Sequence, residues 1–125
     1  GAKIPGDMQG TSILPLLKGQ TPKDWRSHFY YHYYEFPGAH SVARHYGVTN
    51  GRHKLIYFYQ NDEWELFDLG KDPNELQSVY GNSDYTKVQT DLLAELKRLR
   101  VHYKVPEQDP VRPSRKRPNR PNKKK

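Results

Sequence analysis

The sequence predicts an α+β domain: a four-stranded antiparallel sheet with a C-terminal amphipathic helix packed on one face. Two observations lead to this prediction. Strand-like runs rich in aromatic and β-branched residues follow one another through residues 25–67, separated by short polar turns. A run with apolar residues at helical spacing then follows, and consecutive strands followed by a helix are typical of a sheet covered on one face.

The first 24 residues contain little periodic structure. Apolar residues cluster at positions 13–17, where Ser12 is a suitable cap for one helical turn and Lys18-Gly19 ends it. We interpret residues 1–24 as a connector that carries a small apolar plug, because so short a helix is not stable alone.

Two strand-like runs come next. Residues 25–36 are so rich in aromatic side chains that they favour a strand with both faces at least partly covered. Residues 42–49 alternate imperfectly, which places Arg44, Tyr46 and Val48 on one face and His45 on the other. Pro37-Gly38 separates the two runs.

A hairpin is predicted at Asn50-Gly51, since both central positions of a type I′ turn need positive φ. Strands 42–49 and 52–59 should therefore pair antiparallel. Residues 60–63 form a second tight connection, and residues 64–67 form the fourth strand.

Helical signals begin at Asp72. Asp72, Pro73 and Glu75 form a capping box, which predicts a short helix over residues 73–79. Ser83 or Asp84 caps a longer helix that Pro106 ends. Its apolar positions follow 3-and-4 spacing and comprise Tyr85, Val88, Leu92, Leu96, Leu99 and Tyr103. The folded domain should thus cover residues 25–106.

The net charge of +7 lies mainly in the last part of the chain. Residues 105–125 hold 8 Lys/Arg against 2 Asp/Glu, so the remainder is nearly neutral. We predict that residues 107–125 are a disordered basic tail that binds polyanions weakly and in a salt-dependent way. An alternative interpretation is a small basic binding module for nucleic acid or acidic polysaccharide, although nucleic acid is disfavoured because basic and aromatic residues are not interleaved.

Catalytic and metal-binding patterns are sparse. The chain has no cysteine, and its six histidines have no carboxylates at ligand spacing, so we predict neither a thiolate site nor a metal site. One cationic cluster stands out, comprising His40, Arg44 and His45 with Arg52 or Lys54 nearby. These groups either converge on an anion or are ordinary solvated charges at a sheet edge.

Three segments together resemble the C-terminal part of type I, formylglycine-dependent sulfatases. Residues 4–19 resemble the segment that leaves the catalytic domain in that family, which typically contains a Gln-Gly-x-Ser-Leu-x-Pro-Leu-Leu run. Residues 53–56 resemble a Tyr-Lys-Leu-Ile strand. Residues 65–76 resemble a Glu-Leu-Tyr-Asp-Leu-x-x-Asp-Pro-x-Glu run that precedes the terminal helix. The resemblance covers residues 3–106.

The resemblance implies a C-terminal subdomain that is inactive alone and packs on a catalytic domain missing from this chain. Calcium and formylglycine are expected in that missing domain, and no cofactor is expected in this chain. Residues 111–115 imitate the formylglycine motif, but Val111 stands at the position of the nucleophile and cannot be converted. Whether the chain is itself an enzyme is therefore left open.

The resemblance also assigns a role to the loop of residues 37–46, which family members turn toward substrate. It implies that His40, Arg44 and His45 contact a sulfated carbohydrate, with Arg44 as a fixed cation and a histidine donating to a sugar oxygen. It implies a periplasmic or extracellular full-length protein. No membrane partner is expected, since no apolar run approaches the roughly 18 residues of a span. No secretion signal is recognised, so the chain is expected to begin within a longer protein or after a processing site.

Overall fold

The computed structural model describes residues 3–109 of the 125-residue chain. Its elements follow the order α1 (Leu14–Leu17), β1 (Phe29–Tyr33), β2 (His45–Thr49), β3 (His53–Phe58), β4 (Glu63–Asp68), a 3-10 turn (Ser83–Tyr85) and α2 (Thr86–His102). No helix within residues 3–109 is both long and apolar enough to cross a membrane.

The four strands form one antiparallel sheet in the order β1-β2-β3-β4, which confirms the predicted fold class. Val48 lies opposite Leu55, and Leu55 lies opposite Leu66, so these side chains form a row across one face of the sheet. All three are fully buried. Apolar residues of α2 pack on this row, namely Leu92, Leu96 and Leu99.

Burial of the row explains why α2 lies on this face. Leu92, Leu96 and Leu99 are spaced by four and three residues, and each is at most 4% exposed. The helix thus buries one continuous stripe, as its sequence pattern predicts. Neither Ser83 nor Asp84 caps α2, whose N-cap residue is Tyr85 without a side-chain cap hydrogen bond. Asn82 caps the preceding 3-10 turn, because its side chain accepts a hydrogen bond from the Asp84 amide.

β1 and β2 are shorter than their sequence patterns indicate. β1 begins at Phe29, not residue 25, and β2 begins at His45, not residue 42. Residues 34–44 form a loop in which Ser41 adopts a φ of 51° and donates its amide to the Gly38 carbonyl. The aromatic run that predicted a longer strand therefore extends beyond the residues of β1 that pair with β2.

The turn between β2 and β3 forms at the predicted place with a different geometry. Gly51 has a φ of 87°, while Asn50 stays outside the left-handed region. Asn50 instead uses its side-chain oxygen to accept hydrogen bonds from the amides of Arg52 and His53, at 3.0 and 2.7 Å. The type I′ assignment is therefore wrong, and an Asx-type interaction makes the turn.

The short helix predicted over residues 73–79 does not form. Glu75 has a φ of 55°, which an α-helix does not allow. Its carboxylate binds Lys54 Nζ at 2.6 Å instead of returning to the cap. Asp72 does accept backbone hydrogen bonds, from Leu76 and Gln77, but it closes a loop. A long-range ion pair thus overrides the local capping signal.

This loop ends on the outer edge of β4. The Leu66 amide donates to Ser78 Oγ at 3.1 Å, and the Val79 amide donates to the Leu66 carbonyl at 2.8 Å. The centre of the β4 edge is therefore covered by residues 78–79. At the other end of the strand order, β1 forms the second edge of the sheet.

On the face of the sheet away from α2, the Tyr31 ring lies over Gly47. A Cβ placed on Gly47 would overlap the Leu55 carbonyl oxygen and would lie 2.7 Å from the Tyr31 hydroxyl oxygen. Tyr31 and Gly47 are also directly opposite in the β1–β2 register. Glycine is therefore required at this position by close packing.

Candidate functional site

The predicted site lies at the end of the sheet where β1 and β3 finish and β2 begins. The loop of residues 37–46 crosses this end, and His45 is its first residue to pair in the sheet. The structure brings His40, Arg44 and His45 into one loop, but it gives them different surroundings.

His40 is the exposed member of the three. It lies next to Ser41, whose left-handed backbone forms the tight turn back to Gly38. The imidazole of His40 is therefore exposed to solvent in this chain and is accessible to a ligand.

Arg44 is 6% exposed, and its hydrogen bonds stabilise the loop itself. Its Nη2 donates to the Phe36 carbonyl at 2.8 Å, and its backbone amide donates to Gln60 Oε1 at 2.8 Å. The side chain thus connects the start of the loop to its end, and the amide connects it to the β3–β4 turn. This placement differs from that of a cation presented to solvent.

His45 is half-buried among aromatic rings on the face away from α2. Its ring stacks on Tyr33 with centroids 5.3 Å apart and packs against Phe58 at 4.9 Å. Its Nδ1 contacts the Ala43 carbonyl at 2.8 Å. Since a carbonyl only accepts, Nδ1 must carry the proton, and in the neutral ring Nε2 is then an acceptor. Neutral His45 can therefore accept a hydrogen bond at Nε2, and only the cation would donate there.

A third histidine, His32, lies on the helix side of the same sheet end and was missed by the sequence reasoning. Its Nδ1 is 3.1 Å from the Tyr30 hydroxyl, and its Nε2 is 3.4 Å from the Tyr59 hydroxyl. Tyr34 stacks on the ring at 3.8 Å. Burial lowers the pKa of His32 to about 4, an effect that the nearby Asp109 carboxylate opposes. The usable sequence signal was the place of His32 inside the aromatic run of residues 29–34.

His32 gives the fold a defined pH dependence. Its pKa falls from 6.5 when unfolded to about 4 when folded, so unfolding takes up a proton between these values. The contribution of His32 to the free energy of unfolding should be fully present above pH 6.5. It should be lost as the pH falls toward 4, which lowers the free energy of unfolding by about 2 kcal/mol after allowance for partial exposure. Urea unfolding at pH 7 and pH 4.5 measures this loss.

The matched variants for that measurement are His32→Gln and His102→Gln. The first should flatten the dependence between pH 7 and pH 4.5, while the second, at an exposed position, should leave it as in the parent chain. Equal slopes for the parent and His32→Gln would contradict the assignment.

The residues just beyond α2 return to this end of the sheet. Arg100 lies over the Tyr46 ring, with its guanidinium carbon 4.1 Å from the ring centroid. Arg100 also donates to the Asp109 carboxylate at 3.1 and 3.2 Å and to the Pro106 carbonyl at 3.0 Å. Contacts therefore continue to Asp109, past the predicted domain limit at residue 106. The predicted disorder of residues 110–125 lies outside the described residues.

Arg52 and Lys54 do not join the three loop residues. Arg52 forms a bidentate ion pair with the buried Asp68, at 3.3 Å for both contacts. Tyr85 also donates to Asp68, and together these donors hold the pKa of its carboxyl below the usual value. Lys54 binds Glu75. Both cations stabilise the opposite end of the β2–β3 hairpin.

Two other arrangements bear on catalysis. Ser27 Oγ and Glu95 both approach the same nitrogen of His28, Nδ1, at 2.9 and 3.7 Å, so the histidine cannot relay a proton between them. Residues 3–109 contain no group of three His, Asp or Glu side chains that could hold a metal ion.

Comparisons with known proteins identify one family. The family described as N-sulphoglucosamine sulphohydrolase, C-terminal, matches residues 1–102. An N-acetylglucosamine-6-O-sulfatase of Bacteroides thetaiotaomicron is 46% identical over 107 residues, which cover 83% of this chain and 19% of that protein. An arylsulfatase of Clostridium perfringens is 31% identical over 96 residues, covering 74% of this chain and 18% of that protein.

A solved structure of a protein in complex with its substrate, D-glucosamine-2-N,6-O-disulfate, superimposes with a TM-score of 0.77 at 45% identity. The match covers 82% of this chain and 21% of that chain. The chain thus spans about a fifth of the length of these relatives.

Proposed function

Because the chain belongs to the N-sulphoglucosamine sulphohydrolase C-terminal family, we propose that it completes a sulfuric ester hydrolase acting on sulfated glucosamine or a related sulfated carbohydrate. The family match over residues 1–102 carries this proposal. It favours a sulfatase C-terminal domain over a small basic binding module. The sulfated glucosamines named for two relatives support the substrate class.

The proposed partner is a catalytic portion of the same enzyme. Residues 3–24 present apolar side chains to solvent, among them Ile4, Met8 and Leu17, which are 70%, 65% and 74% exposed. Such a group of exposed apolar residues is typical of a surface that another domain covers. The connector also touches the end of α2, through Gln9 Nε2 and the Tyr103 carbonyl at 3.4 Å.

The catalytic portion would supply the calcium ion and the formylglycine of the sulfatase reaction, as membership of the sulfatase family implies. The role of this chain would then be recognition. His40 and His45 would contact sugar or sulfate oxygens directly. Arg44 would act as a positioning residue, because its Nη2 holds the Phe36 carbonyl.

His45→Ala in the complete enzyme should lower kcat/KM for glucosamine 6-sulfate about 10- to 100-fold, the effect of losing one buried polar contact to substrate. The loss should appear mainly in KM if His45 only binds. His45→Gln, which retains an acceptor, should recover part of the loss. His102→Ala, at an exposed position near the end of α2, is the matched control and should retain full activity.

Two outcomes would count against the proposal. Unchanged kcat/KM in both His40→Ala and His45→Ala would remove the 37–46 loop from the substrate site. Hydrolysis of an aryl sulfate by the purified 125-residue chain alone would show that the catalytic groups lie in this chain and not in a separate portion.

A further inference from the structure

We propose that Gln60 is a positioning residue for His45, and that it acts through the single peptide unit that joins Ala43 to Arg44. This inference rests on the proposed function, because His45 is taken there to contact substrate. It adds the β3–β4 turn, residues 59–62, to the support of the 37–46 loop. Gln60 would thereby determine which nitrogen of the His45 ring is the acceptor that a ligand meets.

Both ends of the Ala43–Arg44 peptide unit are hydrogen-bonded. Its N–H group, which belongs to Arg44, donates to Gln60 Oε1 at 2.8 Å. Its C=O group, which belongs to Ala43, accepts from His45 Nδ1 at 2.8 Å. A trans peptide unit is planar, with its N–H and C=O groups pointing in opposite directions, so a contact that fixes one group also orients the other. Gln60 therefore holds in place the carbonyl that His45 binds.

The β3–β4 turn offers the Gln60 side chain from a well-supported backbone. The Asn61 amide donates to the Phe58 carbonyl at 3.0 Å, which closes the turn. The Tyr57 hydroxyl donates to Asp62 Oδ1 at 2.8 Å and connects the end of the turn back to β3. The acceptor that Gln60 provides is thus attached to the sheet and not to the loop that it supports.

The aromatic rings around His45 restrict the plane of its imidazole but do not select its tautomer. Tyr33 stacks on the ring with centroids 5.3 Å apart, and Phe58 packs against it at 4.9 Å. Ring stacking does not distinguish a protonated nitrogen from an unprotonated one. The Ala43 carbonyl does, because it accepts a hydrogen bond only from a protonated Nδ1. If the peptide unit turned away, both neutral tautomers would be populated, and Nε2 would be an acceptor in only part of the molecules.

The first test follows the tautomer of His45 in the full 125-residue chain, without substrate. Long-range proton–nitrogen NMR spectra at about pH 8.5, where free imidazole is neutral, separate protonated from unprotonated ring nitrogens by chemical shift. In the parent chain, His45 should be protonated almost entirely at Nδ1, whereas the exposed His102 should show both tautomers. Gln60→Ala should lower the ratio of the Nδ1 to the Nε2 tautomer of His45 about 3- to 10-fold, the usual effect of weakening one hydrogen bond.

Two further variants separate this hydrogen bond from a general disturbance of the turn. Gln60→Glu keeps an oxygen acceptor for the Arg44 amide and should retain the parent tautomer. Asn61→Ala changes the neighbouring side chain, whose Nδ2 donates to Glu63 Oε2 at 3.2 Å and not to the loop, and it should also match the parent. An unchanged tautomer ratio in Gln60→Ala, or an equal shift in Asn61→Ala, would overturn the inference.

The second test measures hydrolysis by the complete enzyme. Gln60→Ala should raise KM for glucosamine 6-sulfate about 3- to 10-fold and leave kcat within about twofold of the parent. Because Gln60 acts through His45, the double variant His45→Ala, Gln60→Ala should lose no more kcat/KM than His45→Ala alone. Additive losses would contradict an effect that passes through His45.

The two tests can fail separately. If Gln60→Ala shifts the tautomer while His45→Ala leaves hydrolysis unchanged, Gln60 does position His45, and it is the proposed contact with substrate that fails. If His45→Ala impairs hydrolysis while the tautomer does not respond to Gln60→Ala, the loop does bind substrate, and the role of Gln60 is overturned.

Discussion

Leu92→Ala is expected to lower the free energy of unfolding by about 3 kcal/mol, within the usual range for truncating a buried leucine. Leu92 is 2% exposed and packs with the row of leucines that joins α2 to the sheet. The substitution removes apolar contacts and leaves a cavity between two elements that are both held in place, so little of the loss is recovered by relaxation.

Urea unfolding followed by circular dichroism measures the effect. Leu17→Ala is the matched control, because Leu17 also lies in a helix but is 74% exposed, and it should change stability by less than about 0.5 kcal/mol in this chain. A loss below about 1 kcal/mol for Leu92→Ala would mean that α2 does not pack on the sheet as described.

Gly47→Ala should destabilise the chain by about 2–3 kcal/mol although it adds a single methyl group. The added Cβ would overlap the Leu55 carbonyl oxygen, and that oxygen belongs to the backbone of β3. A shift of β3 away from the added methyl group would weaken its hydrogen bonds with β2. Displacing the Tyr31 ring would relieve only the contact on the other side.

Gly10→Ala separates this close contact from the general effect of replacing glycine. No atom lies within 4 Å of a Cβ built on Gly10, so this variant should match the parent or be slightly more stable. Differential scanning calorimetry of the two variants gives the comparison. Equal transition temperatures would show that Tyr31 and β3 accommodate the methyl group freely.

The sequence predicted the architecture well because its dominant signals are local and repetitive. The stripe of α2 and the alternation around Val48 and Leu55 each recur over several residues, and the structure buries the side chains they mark. The resemblance in residues 65–76 identified the family, which the match over residues 1–102 confirms.

The errors came from contacts between distant parts of the chain. Glu75 has the right spacing for a capping box, but Lys54 is 21 residues away in sequence and captures its carboxylate. Arg44 was predicted on a strand face but lies in the loop before β2, and it is held there by contacts with Phe36 and Gln60, which no periodic pattern relates to it. The proximity of Arg100 and Tyr46 likewise depends on how α2 crosses the sheet.

The two edges of the sheet are unequal, and this restricts how the sheet can grow. At the β4 edge, Ser78 and Val79 already occupy the amide and carbonyl of Leu66, so an incoming strand finds its central pairing site taken. At the other edge, β1 (Phe29–Tyr33) carries aromatic side chains and no lysine or proline to repel a neighbour. Strand addition is therefore directional. A fifth strand would therefore pair more easily beside β1 than beside β4.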